Sequence, residues 1–191
     1  MQVRQHHQIS KIMKAKIFFL ITTTIVLLSS CNSKRSEYDP YKIPGGKAKK
    51  EVSKTAFELD FKKTEANLKT IHINLNGSNS YDAIFDTGCS MVLISQLECV
   101  DLLKQGTLKE SDETTPIKAG IADGSASYMK AYNLREVTVI DKNGKPHTLR
   151  DIVAAVAPNI EASILIGSSV IDNLAQKSYT VDLKKNVIRF E

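Results

Sequence analysis

Phe85-Asp86-Thr87-Gly88-Cys89-Ser90 places a carboxylate where an apolar strand, Ala83-Ile84-Phe85, runs out. A hydroxyl, a glycine and a second apolar run, Met91 to Ile94, follow it. The strand fixes the position of the Asp86 carboxyl. Gly88 lets two backbones approach as a residue with a Cβ could not, and the Thr87 hydroxyl can donate or accept a hydrogen bond that locks the loop. Asp-Thr-Gly is also ordinary turn chemistry. A solvent-exposed turn, however, does not usually sit between Ala-Ile-Phe and Met-Val-Leu-Ile, and a carboxylate so embedded is costly unless it is paired or used. A later stretch, Ile164-Leu165-Ile166-Gly167, repeats the theme of an apolar strand that stops at glycine.

Outward from this loop the chain alternates in the manner of strands. Phe57 and Leu59 alternate with acids, and Ile71, Ile73 and Leu75 alternate with His72 and Asn74 before a turn at Asn76-Gly77. Tyr81 to Phe85 then delivers Asp86. A short helix is expected over Gln96 to Lys104, with Leu97, Val100 and Leu103 on one face and Gly106 ending it. Gly120 to Ser125 reads as a turn between two extended segments. Val137 to Ile140 and Ile152 to Val156 flank the hairpin signal Asn143-Gly144. Ile164 to Ile166 reads as a buried strand, and Ser168 to Leu174 as a helix capped by Ser168 or Ser169. A final hairpin joins Tyr179-Val181-Leu183 to Val187-Ile188-Phe190. Many short strands with two short helices predict a mainly β fold closed into a barrel.

Asp86-Thr87-Gly88 and Leu165-Ile166-Gly167, in this order of elements, resemble a retropepsin-like aspartic protease over roughly residues 68–191. The turn Ala122-Asp123-Gly124 resembles the Ala-Asn-Gly flap signature of bacterial members. The resemblance implies that Asp86 is the catalytic carboxylate, with Thr87, Gly88, Cys89 and Ser90 completing its loop. It makes Ile121, Ala122, Asp123, Gly124 and Ser125 a flap that closes over substrate and excludes water. Leu165, Ile166 and Gly167 become the support beside the catalytic loop. Family members often carry Ala where this chain has Cys89, which puts a thiol near the cleft.

Peptide hydrolysis by this route needs two carboxylates about 3 Å apart sharing one proton. The chain supplies one Asp-Thr-Gly. Asp82, Glu136 and Asp182 lack the Thr-Gly and the apolar approach. The resemblance therefore implies a homodimer in which Asp86 of each copy meets on a two-fold axis, braced by the Thr87 hydroxyls, with a peptide or protein as substrate. No cofactor is implied. Two readings from other classes stand beside this one: a peptide-binding module of the same fold without turnover, and a structural lipoprotein whose Asp86 merely caps a turn.

Residues 1–30 hold four basic residues, no acid and an apolar run from Ile17 to Leu28. That is a basic n-region and an h-region, too short for a spanning helix. Met13-Lys14-Ala15-Lys16 makes a normal signal start, so translation is expected from Met13. The stretch ends Leu28-Ser29-Ser30-Cys31, which resembles a bacterial lipoprotein signal. The resemblance implies acylation of Cys31 as the first mature residue, and a protein of the cell envelope facing the periplasm. Residues 31–54 carry seven basic and three acidic residues and read as a flexible basic tether. It suits anionic headgroups or plain solvent equally well.

The formal net charge of +5 thus misleads. The expected domain, 55–191, carries fifteen basic against eighteen acidic residues, which argues against a nucleic-acid binder. Cys89 and Cys99 are not expected to pair, since one sits in a rigid loop and the other in a helix. The four histidines are scattered and no metal-ligand spacing exists, so no metal is expected. His72 and His147 are expected at the surface.

Overall fold

The computed structural model describes residues 49–51, 55–78, 80–120 and 126–191. The expectations at 1–30, at Cys31 and at Ile121–Ser125 lie outside the described residues.

Alternating apolar residues dictate strands, and six of them close a ring. The ring strands are β4 (Lys69–Leu75), β5 (Ser80–Phe85), β6 (Val92–Ile94), β9 (Ala131–Ile140), β10 (Pro146–Val156) and β11 (Ile164–Ile166). β5 lies between β4 and β11, β11 between β5 and β6, and β6 between β11 and β10; β9 then pairs with both β10 and β4 and closes the barrel. The register sets Ile73 against Val139, Ile166 against Phe85 and Ala154 against Val92. Ile73, Leu75, Ala83, Val92, Ile94, Leu134 and Ile166 are fully buried inside it. The expected mainly β, closed-barrel fold with two short helices is what the chain adopts.

A second sheet lies in the order β12 (Tyr179–Asp182), β13 (Val187–Phe190), β2 (Phe57–Asp60). Its rings form a chain of aromatic contacts. Phe57 stacks on Phe190 at 4.9 Å, Phe190 meets Tyr179 at 6.1 Å, and Tyr179 meets Phe85 edge-on at 5.6 Å. The residue before Asp86 is thereby packed against the terminal hairpin. A third, two-stranded sheet joins β7 (Ile117–Gly120) to β8 (Ala126–Met129). Its base rests on a small apolar cluster that includes Met91, Ile117, Val153 and Ala155, with Cys89, Leu93 and Met129 against it. Short strands also form at β3 (Lys62–Lys63) and at β1 (Lys49–Glu51). β1 lies within the stretch read as tether; its backbone pairs with Thr148–Arg150 of β10.

The helix α1 (Gln96–Lys104) has the expected bounds and a capping box: the Ser95 hydroxyl accepts from Leu97 and Glu98 amides, and Glu98 accepts from the Ser95 amide at 2.9 Å. Its buried face is not the expected one. Cys99 and Leu102 are buried, whereas Leu97 and Val100 are 52% and 45% exposed. Two rows spaced by three residues run along this helix, and the row carried by a cysteine, a small apolar residue, faces the core. The helix α2 (Ser168–Leu174) is capped by Gly167, not by Ser168 or Ser169.

His147, expected at the surface, is 1% exposed. Its ring stacks on Phe57 at 3.6 Å and its Nε2 lies 3.0 Å from Asp141 Oδ2. Asp141 in turn accepts the Asn143 and Lys145 amides and closes the β9–β10 turn. His72 is where it was expected, exposed and paired with Asp82 at 2.5 Å.

The His147 hydrogen bond, followed by the Lys145 and Asn143 amides, holds the Asp141 carboxyl below the usual carboxylate range. A carboxyl depressed in the folded state stabilises the fold above its unfolded value, and that contribution is lost as the pH falls through the folded value. Asp141→Asn is therefore expected to melt below wild type at neutral pH, with the gap closing below about pH 4. Thermal melts of both proteins across that range check it; a gap that stays constant into acid contradicts it.

Candidate active site

Asp86 leaves β5 with its backbone still paired: its amide donates to the Ile166 carbonyl of β11 at 3.0 Å. The chain then turns. The Gly88 amide donates to Asp86 Oδ1 at 2.9 Å, and the Cys89 amide to the Asp86 carbonyl at 3.3 Å. One carboxyl oxygen is thus held by the loop's own backbone. The bond that closes the loop on the carboxyl comes from the Gly88 amide, where the Thr87 hydroxyl was the expected lock. Asp86 is half-buried, and Thr87 and Gly88 are exposed.

The far side of the loop is clamped by β11 and α2. The Ser168 amide donates to the Cys89 carbonyl at 2.9 Å and the Ser169 amide to the Ser90 carbonyl at 3.1 Å. The Ser168 hydroxyl also reaches the Ser90 carbonyl at 3.4 Å. Gly167 makes this approach possible. A Cβ there would stand 2.4 Å from the carbonyl oxygens of both Cys89 and Met91. Its φ of −95° is open to any residue, so close approach, not backbone freedom, demands glycine here. Leu165-Ile166-Gly167 and Asp86–Ser90 are therefore brought together as one unit. Ile166 is buried, and Leu165 faces the other way.

Cys89 and Cys99 are both free thiols. The Cys89 thiol donates to the Met91 carbonyl at 3.2 Å. Burial, with the Asp86 charge nearby, pushes its pKa up, so it stands by the carboxyl as a neutral thiol. Among the described residues, no three His, Cys, Asp or Glu side chains gather as a metal site needs.

One feature of the site escaped the reading of motifs. Leu165 pairs with Ile84 on one side and Leu93 on the other. All three are half-buried and form an apolar row across three strands. Alternation along β5 sets Ile84 on the same side as Asp86, so the row runs up to the carboxyl. The half-exposed apolar residues two before Asp86 and two before Gly167 were the signal that could have found it.

Residues 71–170 match the family model described as Aspartyl protease, a stretch that includes both Asp86 and Gly167. The match spans more than half of the chain, and the chain belongs to this family. Among solved structures it is similar to a retropepsin-like aspartic protease from Rickettsia conorii, at 16% identity over 73% of this chain and 96% of that one, with a TM-score of 0.49. It is also similar to Basic 7S globulin from soybean, at 11% identity over 71% of this chain and 42% of that one, with a TM-score of 0.41. A search of the curated proteins finds no match.

Proposed function

We propose that this chain is an aspartic endopeptidase that hydrolyses peptide bonds with a water activated between the Asp86 carboxyls of two copies. The observation that carries the reading is the Asp86 carboxyl at the exit of β5, with one oxygen held by the Gly88 amide and, among the described residues, no hydrogen bond to the other. One carboxylate, ionised, takes a proton from water. The second, protonated, donates to the carbonyl oxygen of the scissile bond as the water attacks. The apolar row Ile84, Leu165, Leu93 takes apolar side chains beside that bond.

A second copy supplies the second carboxyl. The surface around Thr87 supports this. Thr87 lines an open groove of about 310 Å³ with Lys69, Phe85, Tyr179, Val181 and Leu183. Leu183 is 57% exposed there. Among the described residues β12 has a partner on one side only, whereas β13 is flanked by both β12 and β2. Two β12 edges meeting across a two-fold axis would cover this apolar surface and bring the Thr87–Asp86 loops together. Specific activity is then expected to fall as the protein is diluted, since a separated copy holds half a site. Activity unchanged on dilution, from a protein shown by sedimentation to be a monomer, contradicts the two-fold site.

In the same reading the enzyme is held on the cell envelope, facing the periplasm, by a lipid on Cys31; the stretch Leu28-Ser29-Ser30-Cys31 supports it. Cys31→Ser is expected to leave the membrane fraction. Retention of that variant on membranes rules the anchor out. The experiment that tests the activity itself is digestion of a mixed peptide library by wild type beside Asp86→Asn. Cleavage by wild type alone supports the reading. Binding of peptides with no cleavage makes the protein a peptide-binding module instead.

A further inference from the structure

A second, larger groove of about 910 Å³ opens on the barrel away from Thr87. Its apolar lining includes Leu68, Ile84 and Leu97. Leu68 is 44% exposed, and Ile160, whose carbonyl accepts the Leu97 amide, is exposed beside it. Of the seven large apolar side chains exposed among the described residues, Leu68 and Leu97 line this one place and Ile160 lies beside it. Among the described residues, the charged ones that line it are all acids: Glu65, Asp82, Glu98 and Glu161. Lys62, Lys63 and Lys69 stand on neighbouring strands, and none lines the groove.

The acids differ in what they already do. Asp82 pairs with His72 and Glu98 closes the α1 cap. Glu65 and Glu161 are exposed at opposite walls, and among the described residues neither makes an ion pair. An apolar floor with an acidic rim is complementary to a chain that presents apolar and cationic side chains together.

The groove meets the proposed active site at Ile84. Ile84 belongs both to it and to the apolar row, and is two residues before Asp86 on one strand. At about 3.3 Å per residue, Ile84 stands about 7 Å and Asp82 about 13 Å along the strand from Asp86. An extended peptide has the same rise. A substrate with its scissile bond at Asp86 therefore brings residues two to four positions away over this floor and rim.

We infer that this groove selects the substrate: it takes the flank of a peptide in which lysine or arginine follows apolar residues within about four positions of the scissile bond. The occupant rests on the peptidase reading above. Leu68 and Leu97 bury the apolar side chains, and Glu65 and Glu161 meet the cations. Each such contact is solvated and modest, so two acting together set a preference of roughly tenfold and not an absolute requirement.

The test separates the groove from the chemistry. Two fluorescent peptides share one apolar centre, and carry either lysine or glutamate on the flank. Their binding to full-length Asp86→Asn protein in detergent is read by anisotropy, and their cleavage by wild type is read alongside. The lysine peptide is expected to bind roughly tenfold tighter at low salt, with the gap closing at high salt and in Glu65→Lys/Glu161→Lys. Equal binding of the two peptides overturns the inference, as does a preference that survives in the double variant. A lysine preference without cleavage by wild type overturns the peptidase reading and leaves the groove standing. Cleavage of both peptides alike does the reverse. A change in the double variant's sedimentation with the peptide preference intact would assign the groove to a second copy and overturn the inference as well.

Discussion

Asp86→Asn is expected to lower peptide hydrolysis by roughly 10³-fold or more, with little change in the fold. The amide matches the carboxyl in shape, and its oxygen can still accept the Gly88 amide. The loop therefore keeps its main hydrogen bond, while the group that takes a proton from water is gone. If two copies share the site, as proposed above, the variant also removes repulsion between their carboxyls, and its dimer is expected to be at least as tight as that of wild type. If a working site holds two Asp86 carboxyls, as proposed above, activity is expected to follow a bell in pH. If Asp86 served only to shape a turn, asparagine, itself a good turn residue, would be nearly silent. Parallel rates and melting curves for the two proteins decide between these outcomes.

Gly167→Ala is expected to have the largest effect on stability of any glycine-to-alanine change among the described residues. The new Cβ would lie 2.4 Å from two backbone carbonyl oxygens, and neither is the far end of a side chain that can swing away. Either β11 or the Cys89–Met91 backbone must move. Overpacking of this kind costs about 1–3 kcal/mol and at times more, or several degrees in melting temperature. Because the obstructed carbonyls belong to the Asp86–Ser90 loop and to Met91, the residue that follows it, activity is expected to fall beyond what lost stability explains. Gly144→Ala is the matched control. Gly144 has a φ of +80° with nothing near its missing Cβ, so the cost is conformational, about 1 kcal/mol, and far from Asp86. Activity retained by both variants at a temperature where both are folded would contradict the clamp.

Where side-chain period and special residues act locally, the fold was legible in the sequence. The strand into Asp86, the strand into Gly167, the bounds of α1 and the Asn143-Gly144 hairpin all follow from alternation, caps and turn residues. What was not legible depends on distant partners. The buried face of α1 could not be chosen between the Leu97/Val100 row and the Cys99/Leu102 row, because both have helical spacing and only the barrel decides. His147 looked like a residue after a turn; its burial comes from Phe57, ninety positions earlier, stacking over it. From the residues alone Gly167 reads as a strand end, and only the family resemblance set it beside the Asp86 loop; its contact with Cys89 and Met91, almost eighty positions away, follows from the pairing of β11. The apolar row failed to appear for the same reason, since Ile84, Leu93 and Leu165 become neighbours only through parallel and antiparallel pairing.

A working site is proposed to hold an Asp86 from each of two copies. Mixing tests it. Wild type held at a fixed amount, and exchanged with increasing Asp86→Asn, should lose activity as its subunits are drawn into mixed dimers. At equal amounts about a quarter of all dimers are wild type on both sides, so roughly half of the original activity should remain, and a large excess of the variant should silence it. Activity that stays proportional to wild type at every ratio, with subunit exchange shown independently, would mean that each copy carries a complete site and would contradict the account.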